Sequence, residues 1–588
     1  MPLILKTAWD ACPGYPRPSK YHRVNCRVVT ADRRAVKPKA GSILVWMFLA
    51  IALLPSAWLA WRFRAMPQLG AYHDDAIYLV SAKALASHGG YRILSLPEKP
   101  FQTKYPPVFP LLLSMIWRLD ARFPENLPKV TALCWSLLPL YVFLVFRVLR
   151  RWSLSRMEAA GICALTALSP HVVLSGLMTM SELAFGVLLM TTLLLLERSM
   201  IKAGVAIAAL AGLAGGLAFL TRTQAIALLM SAAAVLLWRR RWLQAAVFSL
   251  VFGVFAAGWF LWTHAHAYTG ADPVTLYYVD YARYYLASVH WIDIPLFVQT
   301  NLDSMATATA RLLFATWELD VPSRMFAWVV AIAAASGIRR MVARSGQAHF
   351  AMFSLASFLM FVPWNWPPNE RYLLPLLPAI AAGFYRELRH FFELCRMNLA
   401  GSLPHRVFAS ALIVLGAVVC AAIPYRNIRG VLLDLPDVLE NYRGIFQARQ
   451  PAYSWIRENA PADARVLTYD DPLMYLYTGR SGYQMPMPHW ITYAGTPDRS
   501  DAYFKTSPDF MQEHRLSYAL VTVGDFRRDL QEDGRRAMIA ALRDQRLFDQ
   551  EFTSAGAGVF KLKPRLNAGL ARPGAWWAQV RDSLSATQ

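Results

Sequence analysis

HDDAIYLVSAKAL, His73 to Leu85, stands a dozen residues beyond an apolar run that covers about 43–61. That run has the ~20 residues needed to cross a bilayer. Two adjacent carboxylates, Asp74 and Asp75, therefore sit just past a membrane span. They have two readings. As helix caps, Asp74 would precede the first turn and Asp75 would lie in it, both favoured at the positive end of a helix. As chemical groups, they would act at a membrane surface.

Working outward, the rest of the chain repeats the pattern of that first run. Of 588 residues, 56% are hydrophobic, and the mean hydropathy is +0.30. Repeated uncharged stretches of near-spanning length define a polytopic α-helical membrane protein. The net charge of +22 would suggest nucleic acid in a soluble chain. Here the basic residues cluster in short segments between apolar runs, where they mark the cytoplasmic side and meet anionic lipid, so no nucleic acid is expected. The six cysteines show no metal-ligand spacing and no disulfide framework.

The positive-inside rule threads the chain. Residues 1–42 carry nine Lys and Arg, from Lys6 to Lys39, and are expected as a basic cytoplasmic tail. The run from Val108 to Trp117 contains Pro110 and is short for a crossing. Laid on the outer surface, it leaves Arg147, Arg150, Arg151 and Arg156 inside, as the rule requires. Spans are then expected at about 43–61, 129–147, 157–172, 183–197, 203–220, 224–238, 243–263, 324–338, 349–366, 371–386 and 407–425. About eleven spans make 43–425 a membrane domain and put 426–588 outside. ARVLTYDD and YALVTVG read as strands there, Arg535 to Leu542 as a helix, and FDQEFTS with GAGVFKL as a hairpin. The tail is thus a small α/β extracytoplasmic domain, loosely ordered in its last twenty-odd residues. The segments 62–128, 264–323 and the tail share the outer face with short connections at 172–182, 221–223 and 364–371.

Those outer segments hold the polar residues that need explaining. Lys104 and Tyr105 precede Pro106 and Pro107, which can start a helix lying in the interface. Lys104 there either snorkels to headgroups or holds a phosphate. Glu182 lies in TMSELAF, Arg222 in FLTRTQ, and Arg371 in NERYLLP beside Glu370 and Tyr372. Taken singly, Glu182 is a helix N-terminal acid and Glu370–Arg371 a local ion pair. Together they put acids and arginines in one compartment, and converging edge charges mark a substrate path. Carboxylates, phosphate-binding cations and a lipid interface suit sugar transfer from a lipid-linked donor. A carboxylate takes the acceptor proton while Lys and Arg stabilise the departing phosphate. No nucleotide-binding fingerprint appears; GAGVF is too short for one.

HDDAIY after the first span, KYPP before an apolar interfacial helix, SEL at a span end, LTR in a glycine-rich stretch and ERYLLPLLP near the last spans resemble the GT-C membrane glycosyltransferases, of the dolichyl-phosphate-mannose protein mannosyltransferase and aminoarabinose transferase type. YDDPLMYLYTGR more weakly resembles the outer domain of bacterial members. The resemblance covers roughly 43–425. It implies two juxtamembrane helices in the first outer loop, a polyprenyl-phosphate-sugar donor, and inversion at the anomeric carbon. It maps the acidic pair onto Asp74 and Asp75, with Asp74 as base, the KPP-like lysine onto Lys104 with Tyr105 interrupting, and the later acid onto Glu182. Arg222 and Arg371 are phosphate candidates by position, and Tyr105 and Tyr372 adjoin the cations. Some members use a divalent cation, for which Asp74 and Glu182 are the candidate ligands.

The expected partners are a polyprenyl-phosphate-sugar donor, a lipid, glycan or protein acceptor, and the bilayer. The expected location is the plasma membrane (the inner one in bacteria), with the site and tail facing the periplasm or outside. The competing classes are a lipid-linked sugar transporter or flippase and a non-catalytic envelope-assembly protein. A transporter would show paired, similar halves, and none are visible. Neither class needs the combination of Asp74, Lys104 and Glu182.

Overall fold

In the computed structural model the described residues are 40–563, except 153, 203, 271, 290, 317–322, 346–347, 365, 487, 489–492, 494–496 and 526–531, together with Trp576 and Trp577. Residues 1–39 of the expected basic tail over 1–42, and the expected loosely ordered C-terminus apart from Trp576 and Trp577, lie outside them.

The helices in chain order are α1 (Ala40–Arg62), α2 (Asp74–Ala86), α3 (Val108–Leu119), α4 (Leu127–Arg151), α5 (Arg156–Ala167), α6 (Pro170–Leu177), α7 (Glu182–Lys202), α8 (Val205–Phe219), α9 (Ile226–Trp238) and α10 (Trp242–Ala265). They continue as α11 (Pro273–Val279), α12 (Tyr281–Ser288), α13 (Ile294–Phe314), α14 (Arg324–Ser345), α15 (Ala348–Phe361), α16 (Glu370–Leu373), α17 (Leu377–Asn398), α18 (Leu403–Arg429), α19 (Leu435–Asn459) and α20 (Asp471–Thr478).

The bundle is apolar on both its inner and outer surfaces. Helix α10 buries Phe248, Phe252 and Trp259 yet exposes Leu250, Phe260 and Leu261. Helix α18 exposes Val407, Val414, Leu415 and Val418. Water would not tolerate such extended apolar faces; lipid solvates them, and the helices satisfy their own backbone groups. The chain is an integral membrane protein. Helices pack closely where side chains vanish. A Cβ on Gly337 of α14 would lie 1.8 Å from the Gly383 carbonyl oxygen of α17, so these two backbones meet directly, as small residues permit in membranes.

Among the described residues six helices are long and apolar enough to cross a membrane, seven if α5 and α6, bent by 57°, form one span. The other four of the eleven expected crossings fall on α8, on 223–238, on α15 and on α17. The first three are apolar but short; at 1.5 Å per residue the 14 residues of α15 reach only about 21 Å. Helix α17 carries Arg386, Glu387, Arg389, His390, Glu393 and Arg396, so its second half is no lipid span.

Helix α3 has 12 residues, too few to span. It buries Phe109, Leu113 and Trp117 and exposes Leu111, Met115 and Leu119. That second stripe recurs every four residues and suits contact with an interface. Its buried stripe packs on α2, so the first long loop holds two short helices side by side.

Beyond α18 the helix continues through one π-helical stretch, Gly430–Asp434, into α19. It leads to a five-stranded sheet. The strands are β1 (Arg465–Thr468), β2 (Ser481–Tyr483), β3 (Tyr518–Thr522), β4 (Phe548–Ser554) and β5 (Ala557–Leu562), in the order β2-β1-β3-β5-β4. Strand β1 runs parallel to β2 and β3, whereas β5 is antiparallel to β3 and β4. All five residues of β3 are buried, as befits a central strand. Helix α20 leaves β1 and packs against α2, which brings the sheet domain onto the first loop.

Candidate active site

The charged residues singled out above sit at helix starts. Asp74 opens α2, Glu182 opens α7, and Arg371 lies in the first turn of α16, whose Asn369 side chain accepts from the Arg371 amide at 3.1 Å. Carboxylates favour helix N-termini, so local sequence alone places two of them. Tertiary packing brings them together.

Arg371 is the centre of the arrangement. Its Nη2 donates to Asp74 Oδ2 at 3.1 Å and its Nε to Glu182 Oε1 at 3.0 Å. Arg222 Nη1 reaches the same Glu182 oxygen at 2.9 Å and donates to Ser181 Oγ at 3.2 Å. The Arg371 guanidinium lies 4.4 Å from the centre of the Tyr72 ring. Glu370 turns away to Arg311 at 3.0 Å, so the expected local Glu370–Arg371 pair is absent. The reason is that adjacent residues at a helix start diverge around the axis.

Asp74 does not cap α2. His73 holds the cap position with φ 58°, a left-handed conformation uncommon outside glycine. The Asp74 carboxylate instead takes a short hydrogen bond from Tyr105 as well as the Arg371 bond. Burial pushes that carboxyl up, but Arg371, Lys104 and the Tyr105 hydroxyl outweigh it and hold it below its ordinary value. Asp75 has the structural part. It is fully buried, and its carboxylate accepts from the Gly70 amide at 3.1 Å and the Ala76 amide at 2.7 Å. Burial raises it to about 6 against those two bonds. The two neighbours thus differ in their bonding: Asp75 binds backbone amides, and Asp74 binds the side chains of Arg371 and Tyr105.

Lys104 lies under a layer of tyrosines. Its Nζ donates to the Tyr277 carbonyl at 3.1 Å and sits 4.6 Å from the Tyr277 ring, 4.4 Å from the Tyr281 ring and 5.2 Å from the Tyr105 ring. Burial pushes the ammonium down to about 8. This is a built cation site, not a lysine snorkelling freely. Tyr372 packs its ring on Phe361 and Trp364, centroids 5.4 and 6.4 Å away. Tyr78 reaches Ser181 at 3.1 Å. Tyr72, Tyr78, Tyr277 and Tyr281 were not singled out from the sequence. The run YYVDYARYY, 277–285, carried a signal in its tyrosine density.

Three cations, Lys104, Arg222 and Arg371, thus face two carboxylates, Asp74 and Glu182, in one cluster. The three cations gathered there are groups that can meet an anion such as a phosphate. Asp74 and Glu182 do not fit a divalent cation in this arrangement: Arg371 bridges them, and the described residues contain no group of three or more His, Cys, Asp or Glu arranged to hold a metal.

Two further acids approach from the sheet domain. Asp471 Oδ1 accepts from His73 Nε2 at 3.1 Å and from the Tyr278 hydroxyl. Asp470 is buried, and neither carboxylate oxygen has a hydrogen-bond partner. A Cβ on Gly70, whose φ is +88°, would lie 2.0 Å from Asp470 Oδ2, so only glycine fits there. Burial drives the Asp470 carboxyl from 3.8 to about 8. Bound more tightly in the folded chain, its proton supports folding fully below pH ~3.8, and that support drains away as pH rises towards 8. Asp470→Asn, which mimics the protonated acid, is therefore expected to raise the melting temperature at about pH 8–9 and flatten its fall between about pH 4 and 8. Thermal unfolding of the purified full chain across pH checks this.

A bundle of long and short apolar helices, two short helices side by side in the first loop, the first of them opened by an acid, and a small sheet domain define the GT-C membrane fold. Solved structures agree. ArnT from Cupriavidus metallidurans bound to undecaprenyl phosphate matches with a TM-score of 0.50 over 90% of this chain and 100% of that one, at 14% identity. The Archaeoglobus fulgidus oligosaccharyltransferase tethered to an acceptor peptide matches with a TM-score of 0.50 over 82% of this chain and 69% of that one, at 12% identity. No protein-family model and no curated protein sequence matches the chain.

Proposed function

We propose that this protein is an inverting glycosyltransferase that moves a sugar from a polyprenyl-phosphate-linked donor to an acceptor at the membrane surface. The observation that carries it is the chain Asp74–Arg371–Glu182–Arg222 with Lys104 beside it. It sets two carboxylates at helix starts, Asp74 and Glu182, among three cations. The fold it shares with proteins bound to undecaprenyl phosphate or to an acceptor peptide supports the same reading.

In the proposed reaction the acceptor oxygen or nitrogen attacks the anomeric carbon. The bond from that carbon to the phosphate oxygen breaks, and the polyprenyl phosphate leaves with the electron pair. Asp74 accepts the proton. A single displacement inverts the anomeric centre. Arg371, Arg222 and Lys104 neutralise the charge that grows on the leaving phosphate, where fixed donors in a dry site act most strongly. Glu182 fixes both guanidinia. As the phosphate draws Arg371 away from Asp74, the carboxylate loses a partner that favours its ionised form, and its basicity rises.

The proposed organisation is a cytoplasmic tail over 1–42, a catalytic membrane domain over 43–425 and an extracytoplasmic domain over 426–588, in a plasma membrane with the site facing outward. A lipid-linked sugar flippase would move the donor whole and has no use for a base. Membranes from cells expressing the chain, given a mixture of radiolabelled polyprenyl-phosphate sugars, are expected to move label from the donor lipid to an acceptor. Label that crosses the bilayer still attached to its lipid would sink the transferase reading.

A further inference from the structure

The sheet domain contributes one side chain that ties the two halves of the cluster together. Asp471 is fully buried and opens α20. An acid in a first turn ordinarily needs no explanation beyond the helix dipole. This one caps nothing. Its Oδ1 takes the His73 ring nitrogen at 3.1 Å and the Tyr278 hydroxyl, while Oδ2 has no hydrogen-bond partner. Each contact leads to one arm of the site. His73 holds φ 58° and immediately precedes Asp74, so fixing its ring fixes the turn that aims the carboxylate. A non-glycine residue in that conformation persists only where its surroundings impose it. Tyr278 follows Tyr277, whose carbonyl receives Lys104 Nζ at 3.1 Å. The Tyr278 hydroxyl also accepts the Gln484 amide at 3.1 Å, beside β2. The contacts span 398 and 193 residues of sequence, and nothing else described joins Asp471 to its neighbours by hydrogen bond through that carboxylate.

We propose that Asp471 is a positioning residue of the transfer reaction: the sheet domain uses it to hold the Asp74 turn and the Lys104 carbonyl anchor in mutual register. This rests on the transferase reading given above. The sheet domain is thereby part of the catalytic apparatus, and its docking sets the activity of the membrane domain.

Asp471→Asn and Tyr278→Phe in the purified full-length protein test this by hydrogen–deuterium exchange and by donor-dependent kinetics. Asp471→Asn is expected to raise exchange at 70–79 and 275–280 while leaving β1 and β3 protected. It should lower kcat about tenfold, the effect of losing a charge-assisted bond. Tyr278→Phe keeps the His73 bond, loses the Lys104 side together with the acceptor for the Gln484 amide, and should raise the donor KM about threefold with kcat nearly unchanged. Unchanged exchange at 70–79, a wild-type kcat in Asp471→Asn, or exchange rising equally in β1 and β3 with Tyr278→Phe kinetically silent would each overturn the proposal. If the wild-type chain transfers no sugar, the transferase reading fails, and exchange at 70–79 still decides whether Asp471 holds the turn.

Discussion

Asp74→Asn is expected to lower kcat/KM for sugar transfer by about a thousandfold, within the range for losing a general base. The asparagine keeps the shape of the side chain and still offers an oxygen to Arg371, so folded yield and melting temperature stay near wild type. The contrast with Asp75→Asn is informative because the two acids are adjacent. Asp75 faces the Gly70 and Ala76 amides, and its amide would turn a donor towards them. That variant should lose stability first and activity second. Initial rates in membranes, normalised to folded protein by size-exclusion chromatography, separate the two effects.

Arg371→Lys is expected to have the second largest effect. Arg371 uses two different nitrogens on two carboxylates, Nη2 on Asp74 and Nε on Glu182. A lysine keeps the charge but not the fork. It can satisfy one acid at a time and presents a single point to the leaving phosphate. A loss of about a hundredfold in kcat/KM follows, with most of it in kcat because the bond strengthens as charge develops. Truncation to alanine would be harsher for another reason. Glu182 is fully buried and its Oε2 already lacks a hydrogen-bond partner, so Arg371→Ala would leave it with Arg222 alone. Arg371→Lys is therefore the cleaner variant, measured as full donor-saturation curves against the wild type.

The residues of this cluster were visible in the sequence because charge at the end of an apolar span is conspicuous. Asp74, Glu182, Arg222 and Arg371 each stand out in that way, and the structure brings all four together. Their pairing was not visible. Arg371 has Glu370 beside it in sequence, but bonds instead to Glu182, 189 residues away, and Asp74, 297 away. Helix geometry decided that, not proximity along the chain. Tyr277 and Tyr281 were hidden for a different reason: tyrosines pack anywhere, and only the fold shows that they cover Lys104. The sheet domain was half legible. Short runs rich in Val and Thr marked β1 and β3, and the Gly-containing turn marked β4 and β5, but β2 has three residues and a parallel crossover, which leave little local signal. The spans of 14 or 15 residues over α8 and α15 read as crossings by composition and are shorter as helices than a bilayer core.

The most direct test uses the purified chain in liposomes with a polyprenyl-phosphate sugar and an acceptor mixture, following the lipid by mass spectrometry. Free polyprenyl phosphate is expected to appear in step with glycosylated acceptor, and Asp74→Asn is expected to form neither. Donor lipid that stays intact in every preparation, or that changes leaflet with its sugar still attached, would contradict the transferase reading.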